Sequence, residues 1–148
     1  MDARVKIAVA NGSDAHELAS LDKLAHQEDE EWGLRTRSEF LAITESHTKS
    51  ILLARLRGKL VGYAYVKLKR SRKGLFLWIE DVYVLEQFRK KHVAKRLIET
   101  AINLWKPKIR HASLLTSNKN VKIFSKLGFR RVMNYMSFRL RENSQHDD

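Results

Sequence analysis

A chain of 148 residues with 29 Lys/Arg against 17 Asp/Glu carries a formal charge of +12, and its size suits one domain that buries its own core. The lack of cysteine excludes disulfides, thiol nucleophiles and Cys-based zinc sites. No run nears the roughly 18 consecutive apolar residues of a membrane helix, and the opening MDARVKIAVANGSD lacks the apolar stretch of a signal peptide, so a cytoplasmic protein with no membrane partner is expected.

In chain order, Val5–Ala10 alternates as a first strand and ends at the Asn11-Gly12 turn. Ser13 or Asp14 then caps a helix to about His26, with Leu18, Leu21, Leu24 and Ala25 apolar. The acidic run Glu28–Glu31 and Trp32-Gly33 follow. A second short helix starts near Thr36, where Thr36-Arg37-Ser38-Glu39 has capping-box spacing, and ends before His47. Ser50–Arg57 and Leu60–Leu68 read as strands of a hairpin turning through Gly58-Lys59, and KLKRSRK (Lys67–Lys73) as the next turn. Leu75–Leu85 is a central buried strand. Ala94–Trp105 is a helix with Ala94, Leu97, Ile98, Ala101, Ile102 and Trp105 on one face, closed by Pro107. His111–Thr116 reads as a strand, Val121–Leu127 as a short helix and Phe129–Leu140 as a strand or pair of strands. Residues 4–140 are thus expected to form a single domain and 141–148 a frayed tail. The order β-α-α-β-β-β-α-β-α-β, with hairpins first and a strand–helix–strand unit later, implies a mixed α/β fold around one sheet.

The charge is uneven: residues 1–66 hold 9 Lys/Arg against 10 Asp/Glu, whereas residues 67–148 hold 20 against 7. That excess suits an anionic ligand or partner, although basic surface also serves solubility. Within the basic half, Gln87–Ala94 (QFRKKHVA) joins the central strand to the amphipathic helix. A strand, a short basic turn and a helix N-terminus gather free backbone N–H groups and the positive end of a dipole at one point. With Arg89, Lys90, Lys91 and Lys95 around it, this is an anion site of the kind that takes phosphate.

Three motifs in this order resemble the GNAT superfamily of acyl-CoA N-acyltransferases. That family's pyrophosphate loop reads (Gln/Arg)-x-x-Gly-x-(Gly/Ala). Arg89-Lys90-Lys91-His92-Val93-Ala94 matches its first and last positions, with His92 at the inner glycine. Phe124-Ser125-Lys126-Leu127-Gly128-Phe129, with Asn118 upstream, is similar to the family's aromatic-x-x-x-Gly-Phe signature. Ile79-Glu80-Asp81-Val82-Tyr83-Val84 resembles the central strand of diamine and related acetyltransferases. Two departures stand out. His92 puts a side chain where backbone usually approaches phosphate, and Phe124 stands where many members carry a tyrosine that protonates the departing CoA thiolate.

The resemblance implies acetyl transfer from acetyl-CoA to an amine by direct attack in a ternary complex. It places the pyrophosphate on the N–H groups of Lys90, Lys91, His92, Val93 and Ala94, with charge from Arg89, Lys91 and Lys95. It pairs the pantetheine arm with the backbone of Val82, Tyr83 and Val84, where an N–H polarises the thioester carbonyl. The side chains of Val82 and Val84 are expected in the core. A lysine-like amine with a pKa of about 10.4 is neutral only once in a few thousand molecules at pH 7, so a base helps. Glu80 is the candidate from the motif, with Asp81 as substitute and a structural ion pair as Glu80's alternative role. Strict alternation would put Glu80 with Val82 and Val84, and Asp81 with Tyr83 on the other face. Tyr83, Tyr135, Ser125 or water could act as the acid. The acidic run Glu28–Glu31 borders the family's acceptor site and either draws in a cationic amine or is a solvated loop. Trp32 and Phe40 are expected as core anchors. The six histidines show no ligand spacing, so no metal is expected.

The expected partners are acetyl-CoA and an amine acceptor, either a small molecule or a protein or peptide, with the chain a monomer or homodimer. Two other readings stand beside this one. A CoA-binding module with weak or no catalysis fits His92 and Phe124. A nucleic-acid- or ribosome-associated module fits KLKRSRK and the basic half, against which the sequence shows no basic surface interleaved with aromatics.

Overall fold

The structure, a computed structural model, describes residues 4–116 and 120–140. It comprises two compact units, Met1–Thr116 and Ser117–Asp148. The first unit holds one five-stranded sheet in the order β1-β2-β3-β4-β5. These strands are β1 (Lys6–Val9), β2 (Lys49–Leu56), β3 (Lys59–Ser71), β4 (Gly74–Val84) and β5 (Ala112–Leu114). The first four pair antiparallel and β5 joins β4 in parallel. The intervening helices are α1 (Ala15–Glu28), α2 (Arg37–Thr44) and α3 (Val93–Trp105). The mixed α/β expectation therefore holds.

Local chemistry explains most of the boundaries. Asn11 caps a 3-10 turn at Gly12–Asp14 through a reciprocal capping box with Asp14, and α1 starts directly after it. Thr36 and Glu39 form the box that starts α2, as the spacing predicts. The β2–β3 hairpin turns at Arg57-Gly58 rather than Gly58-Lys59, because both residues take positive φ (52° and 82°), as a primed two-residue turn requires. KLKRSRK is mostly strand and not a turn. Ser71 pairs with Gly74, so only Arg72 and Lys73 are left to close the β3–β4 hairpin. The apolar partners Leu75 and Leu77 continue the ladder, and long basic side chains can run along them with their charges in water.

Residues Leu60–Val66 are buried along their whole length, which requires cover on both faces of β3. On one face, α1 and α2 bring Asp22 to the Tyr63 hydroxyl and the Phe40 ring edge-on to Tyr63 at 5.9 Å. The amphipathic α3 packs against β2, β3 and β4 and supplies Val93, Leu97, Ile98 and Ala101 to the core. Gly62 is forced by close approach: a Cβ there would stand 2.7 Å from the Tyr83 carbonyl.

In the second unit, α4 (Val121–Lys126) ends in a Schellman motif. The Phe129 N–H donates to the Phe124 carbonyl and the Gly128 N–H to that of Ser125, with Gly128 at φ 102°. The rings of Phe124 and Phe129 close the motif edge-to-face at 6.1 Å, a physical basis for an aromatic followed at this spacing by Gly-Phe. The strand expected over Phe129–Leu140 does not form: residues 129–140 carry no strand. Their valine, tyrosine and phenylalanine content favours a sheet only where a partner strand supplies the ladder. The proposed tail, 141–148, lies outside the described residues.

Candidate active site

A bulge in β4 builds the centre of the site. Tyr65 of β3 pairs with Asp81 while the next residue, Val66, pairs with Ile79, so Glu80 is an extra residue in the ladder. Strict alternation fails there. Glu80 reaches Lys67 Nζ at 2.9 Å and accepts from Trp78 Nε1 at 3.2 Å. Lys67 and Trp78 are register partners on the same face as Tyr65 and Asp81. The two carboxylates therefore share one face, and the expectation that Glu80 sides with Val82 and Val84 is corrected.

The α1–α2 segment lies over that face. Arg35 donates to Asp81 Oδ2 at 2.5 Å, and its guanidinium sits 4.8 Å from the Tyr65 ring centroid. Beneath it, the fully buried Asp22 accepts three hydrogen bonds: from Tyr63 Oη at 2.6 Å, Trp32 Nε1 at 2.7 Å and the Arg35 N–H at 2.8 Å. Trp32 tilts against Tyr83 with ring centroids 5.7 Å apart. Asp22 thus pins both Trp32 and the backbone that carries Arg35. The sequence reading missed Asp22, yet its position between Leu18, Leu21 and Ala25 on the buried helix face was the available signal.

Burial pushes the Asp81 carboxyl above its ordinary range, against the pull of the Arg35 charge. Burial also raises Glu80, but its bonds from Lys67 and Trp78 and the charges of Lys67 and Lys69 outweigh that, and its pKa is lowered. Both Glu80 oxygens are engaged, whereas Asp81 Oδ1 receives no hydrogen bond from a described residue.

Beyond Asp81 the strand leads to the basic turn. β5 pairs with β4 only at Leu77, Trp78 and Ile79, so among the described residues β4 from Glu80 to Val84 has no strand neighbour on that side. Tyr83 and Val84 are buried and Val82 half-buried. The Tyr83 hydroxyl donates to Glu28 at 2.5 Å, and burial first, then that bond, raises its pKa. Its bond in turn lowers Glu28, with help from Arg89. Arg89 bonds Glu28 at 2.6 Å and the Val84 carbonyl at 2.8 Å, so its guanidinium folds back on the end of β4. Lys90, Lys91, His92 and Lys95 are exposed around the turn. Lys90 and His92 take left-handed φ of 65° and 62°, and His92 heads α3 without any side-chain cap. The N–H groups of Val93, Ala94 and Lys95, the first turn of α3, have no acceptor within the helix. A diphosphate fits this turn: uncapped donors, a dipole end and lysines that hold no described carboxylate.

Phe124 lies half-buried in α4 and Tyr135 is exposed in the strandless segment, both in the second unit; Asn118 lies outside the described residues. Among the described residues no group of three or more His, Asp or Glu could hold a metal ion, and no helix is long and apolar enough to cross a membrane.

The sequence matches the family model for GNAT acetyltransferases over residues 15–129. No curated protein sequence matches it significantly. Solved structures share the fold. Glucosamine-6-phosphate N-acetyltransferase from Arabidopsis thaliana superposes with a TM-score of 0.76 at 23% identity, covering 93% of this chain and 99% of that one. An aminoglycoside N-acetyltransferase solved with CoA gives 0.76 at 22% identity, over 95% and 97% of the two chains. Ribosomal-protein-alanine N-acetyltransferase from Brucella melitensis biovar Abortus 2308 gives 0.72 at 20%, over 94% and 100%.

Proposed function

Since this chain belongs to the GNAT family of acetyltransferases, which use acetyl-CoA, we propose that it moves the acetyl group to the nitrogen of a primary amine, with Asp81 as the base. The observation that carries this reading is the bulge at Glu80, which turns two adjacent carboxylates to one face, beside the stretch of β4 whose β5 side no strand joins among the described residues. The first turn of α3, with Lys90, Lys91, His92 and Lys95, holds the diphosphate. The backbone of Val82, Tyr83 and Val84 lines the acyl arm. Acetyl-CoA supplies an acyl group already activated as a thioester, so the protein's task is to orient it and to free the amine of its proton.

Asp81 suits that task better than Glu80. Its proton affinity is raised, and Oδ1 is open to the amine or to one intervening water. Glu80, saturated by Lys67 and Trp78, positions the strand and balances the lysine charge. The proton lost by the ammonium passes to Asp81, the amine lone pair forms the C–N bond, the C–S bond breaks, and the second N–H proton leaves nitrogen for the departing thiolate, giving the amide and CoA thiol. A thiol titrates near about 8.5, so that leaving group needs little help from an acid in a positive site, and Phe124 does not block the reaction.

The solved neighbours carry the names of an aminoglycoside, a sugar phosphate and a protein acceptor at similar likeness, so an amine panel is the natural assay. Release of CoA thiol should be stimulated by at least one primary amine. Asp81→Asn should lower kcat/KM about a hundredfold at pH 7, the low end for a general base, and Glu80→Gln less than tenfold. A larger loss in Glu80→Gln would transfer the role to Glu80, and no stimulation by any amine would leave a CoA-binding module.

A further inference from the structure

At the far end of the β3–β4 hairpin stand cations and rings of which the proposed acetyl transfer uses only Lys67 and Trp78, the partners of Glu80. Segments 67–79 and 106–116 contain eight Lys/Arg and no Asp/Glu. They are neighbours in space: the Arg110 N–H donates to the Leu75 carbonyl at 3.0 Å, Leu77 to the His111 carbonyl at 3.0 Å, and the Arg110 guanidinium to the Lys73 carbonyl at 3.0 Å. Only Lys67 among these cations holds a described carboxylate, Glu80. The rest form an uncompensated positive edge on an ordered strand frame.

Strand pairing sets aromatic planes among these charges. In sequence the basic run precedes the aromatics, but the register places Lys69 opposite Phe76 and Lys67 opposite Trp78. One face of the ribbon therefore sets a β3 lysine beside each β4 aromatic, a juxtaposition that the linear sequence hides. The Phe76 ring lies flat on His111, with centroids 5.0 Å apart and planes within 6°. Lys69 Nζ sits 4.8 Å from the Trp78 ring centroid. Phe76 and Trp78 are two residues apart on one strand, hence about 7 Å apart on the same face. That is within reach of successive bases in an unstacked single strand. The aromatics are only half-buried, and Lys69, Arg70, Arg72 and Lys73 are exposed.

We propose that this ribbon face docks single-stranded nucleic acid, its phosphates on the hairpin cations and its bases on Phe76 and Trp78. Charge alone would suit any polyanion. The aromatic planes favour a strand whose bases are free to stack, since base–aromatic stacking adds affinity whatever the sequence. A duplex hides those faces, and an acidic peptide has none.

The test uses the full chain and fluorescein-labelled 12-nucleotide single strands, oligo-rU and oligo-dT, followed by anisotropy at two salt concentrations. Binding should weaken steeply with salt. Arg72→Glu/Lys73→Glu, at the turn that ends this face, should weaken it at least tenfold while leaving amine-dependent thiol release unchanged. Phe76→Leu, which keeps an apolar side chain and removes the π face, should weaken it at least fivefold with melting within a few degrees of the wild type. Tighter binding of oligo-rU than oligo-dT would mark RNA as the natural strand, and the reverse order DNA. Absence of binding, affinity unchanged in both variants, or displacement by polyglutamate of equal charge as readily as by unlabelled strand would overturn the proposal.

Discussion

Glu80 and Asp81 are adjacent carboxylates whose proton affinities move in opposite directions for reasons visible around each. Two donors and nearby lysines stabilise ionised Glu80; burial opposes ionised Asp81 more than Arg35 relieves it. With an aliphatic amine, log kcat/KM should be level below the amine pKa, where the ammonium binds and Asp81 takes its proton, and fall with unit slope once Asp81 itself protonates. Because Asp81 is raised, that break should lie above the ordinary aspartate value of 3.8, and Asp81→Asn should erase it while Glu80→Gln leaves it in place. His92 poses a separate residue-scale question. A left-handed φ at a non-glycine residue costs roughly 1–2 kcal/mol, partly offset in a glycine variant by its freer unfolded chain. His92→Gly should therefore stabilise the protein by about 0.5–1 kcal/mol in urea denaturation, without loss of acetyl-CoA affinity. Destabilisation would mean that the imidazole makes a contact worth more than the strain. The sequence made the carboxylate pair and the glycine-to-histidine departure legible. Its periodicity could not reveal that Asp22 holds Tyr63, Trp32 and Arg35 together, because that depends on residues 10 to 41 positions away meeting one side chain.

At the scale of elements, signals contained in a few neighbouring residues proved readable. The Thr36/Glu39 capping box and the amphipathic stripe of α3 are of this kind. Features set by pairing were not. The bulge at Glu80 depends on how β3 and β4 slide past one another, and strict alternation misplaced Glu80 because nothing in the strand's own sequence marks the extra residue. The same pairing turned KLKRSRK from an apparent turn into a strand. Conversely, the β-rich composition of 129–140 suggested a strand where no ladder exists. Gly62 shows how closely β3 and β4 approach. In Gly62→Ala the new methyl would meet the Tyr83 carbonyl at 2.7 Å, so the strands must part at the acyl-arm stretch of β4. A loss of about 1–3 kcal/mol in urea denaturation is expected, with weaker acetyl-CoA binding. Unchanged stability would show that the pairing has slack there.

For the whole molecule, the fold class and the division of charge between the halves were readable from the sequence. In the structure, cations of the basic half gather at two places: the turn before α3, and the hairpin end bordered by Arg110 and His111. Arg89, expected from the sequence as a phosphate ligand, bonds Glu28 and the Val84 carbonyl. On the proposed reading, the three lysines around that turn supply the charge for donor binding. The most direct test is calorimetric titration of acetyl-CoA into the wild type and into Lys90→Glu/Lys91→Glu/Lys95→Glu. At least tenfold weaker binding in the variant is predicted, with a wild-type affinity that falls as salt rises. Equal affinity in the two proteins would contradict the placement of the diphosphate at the start of α3.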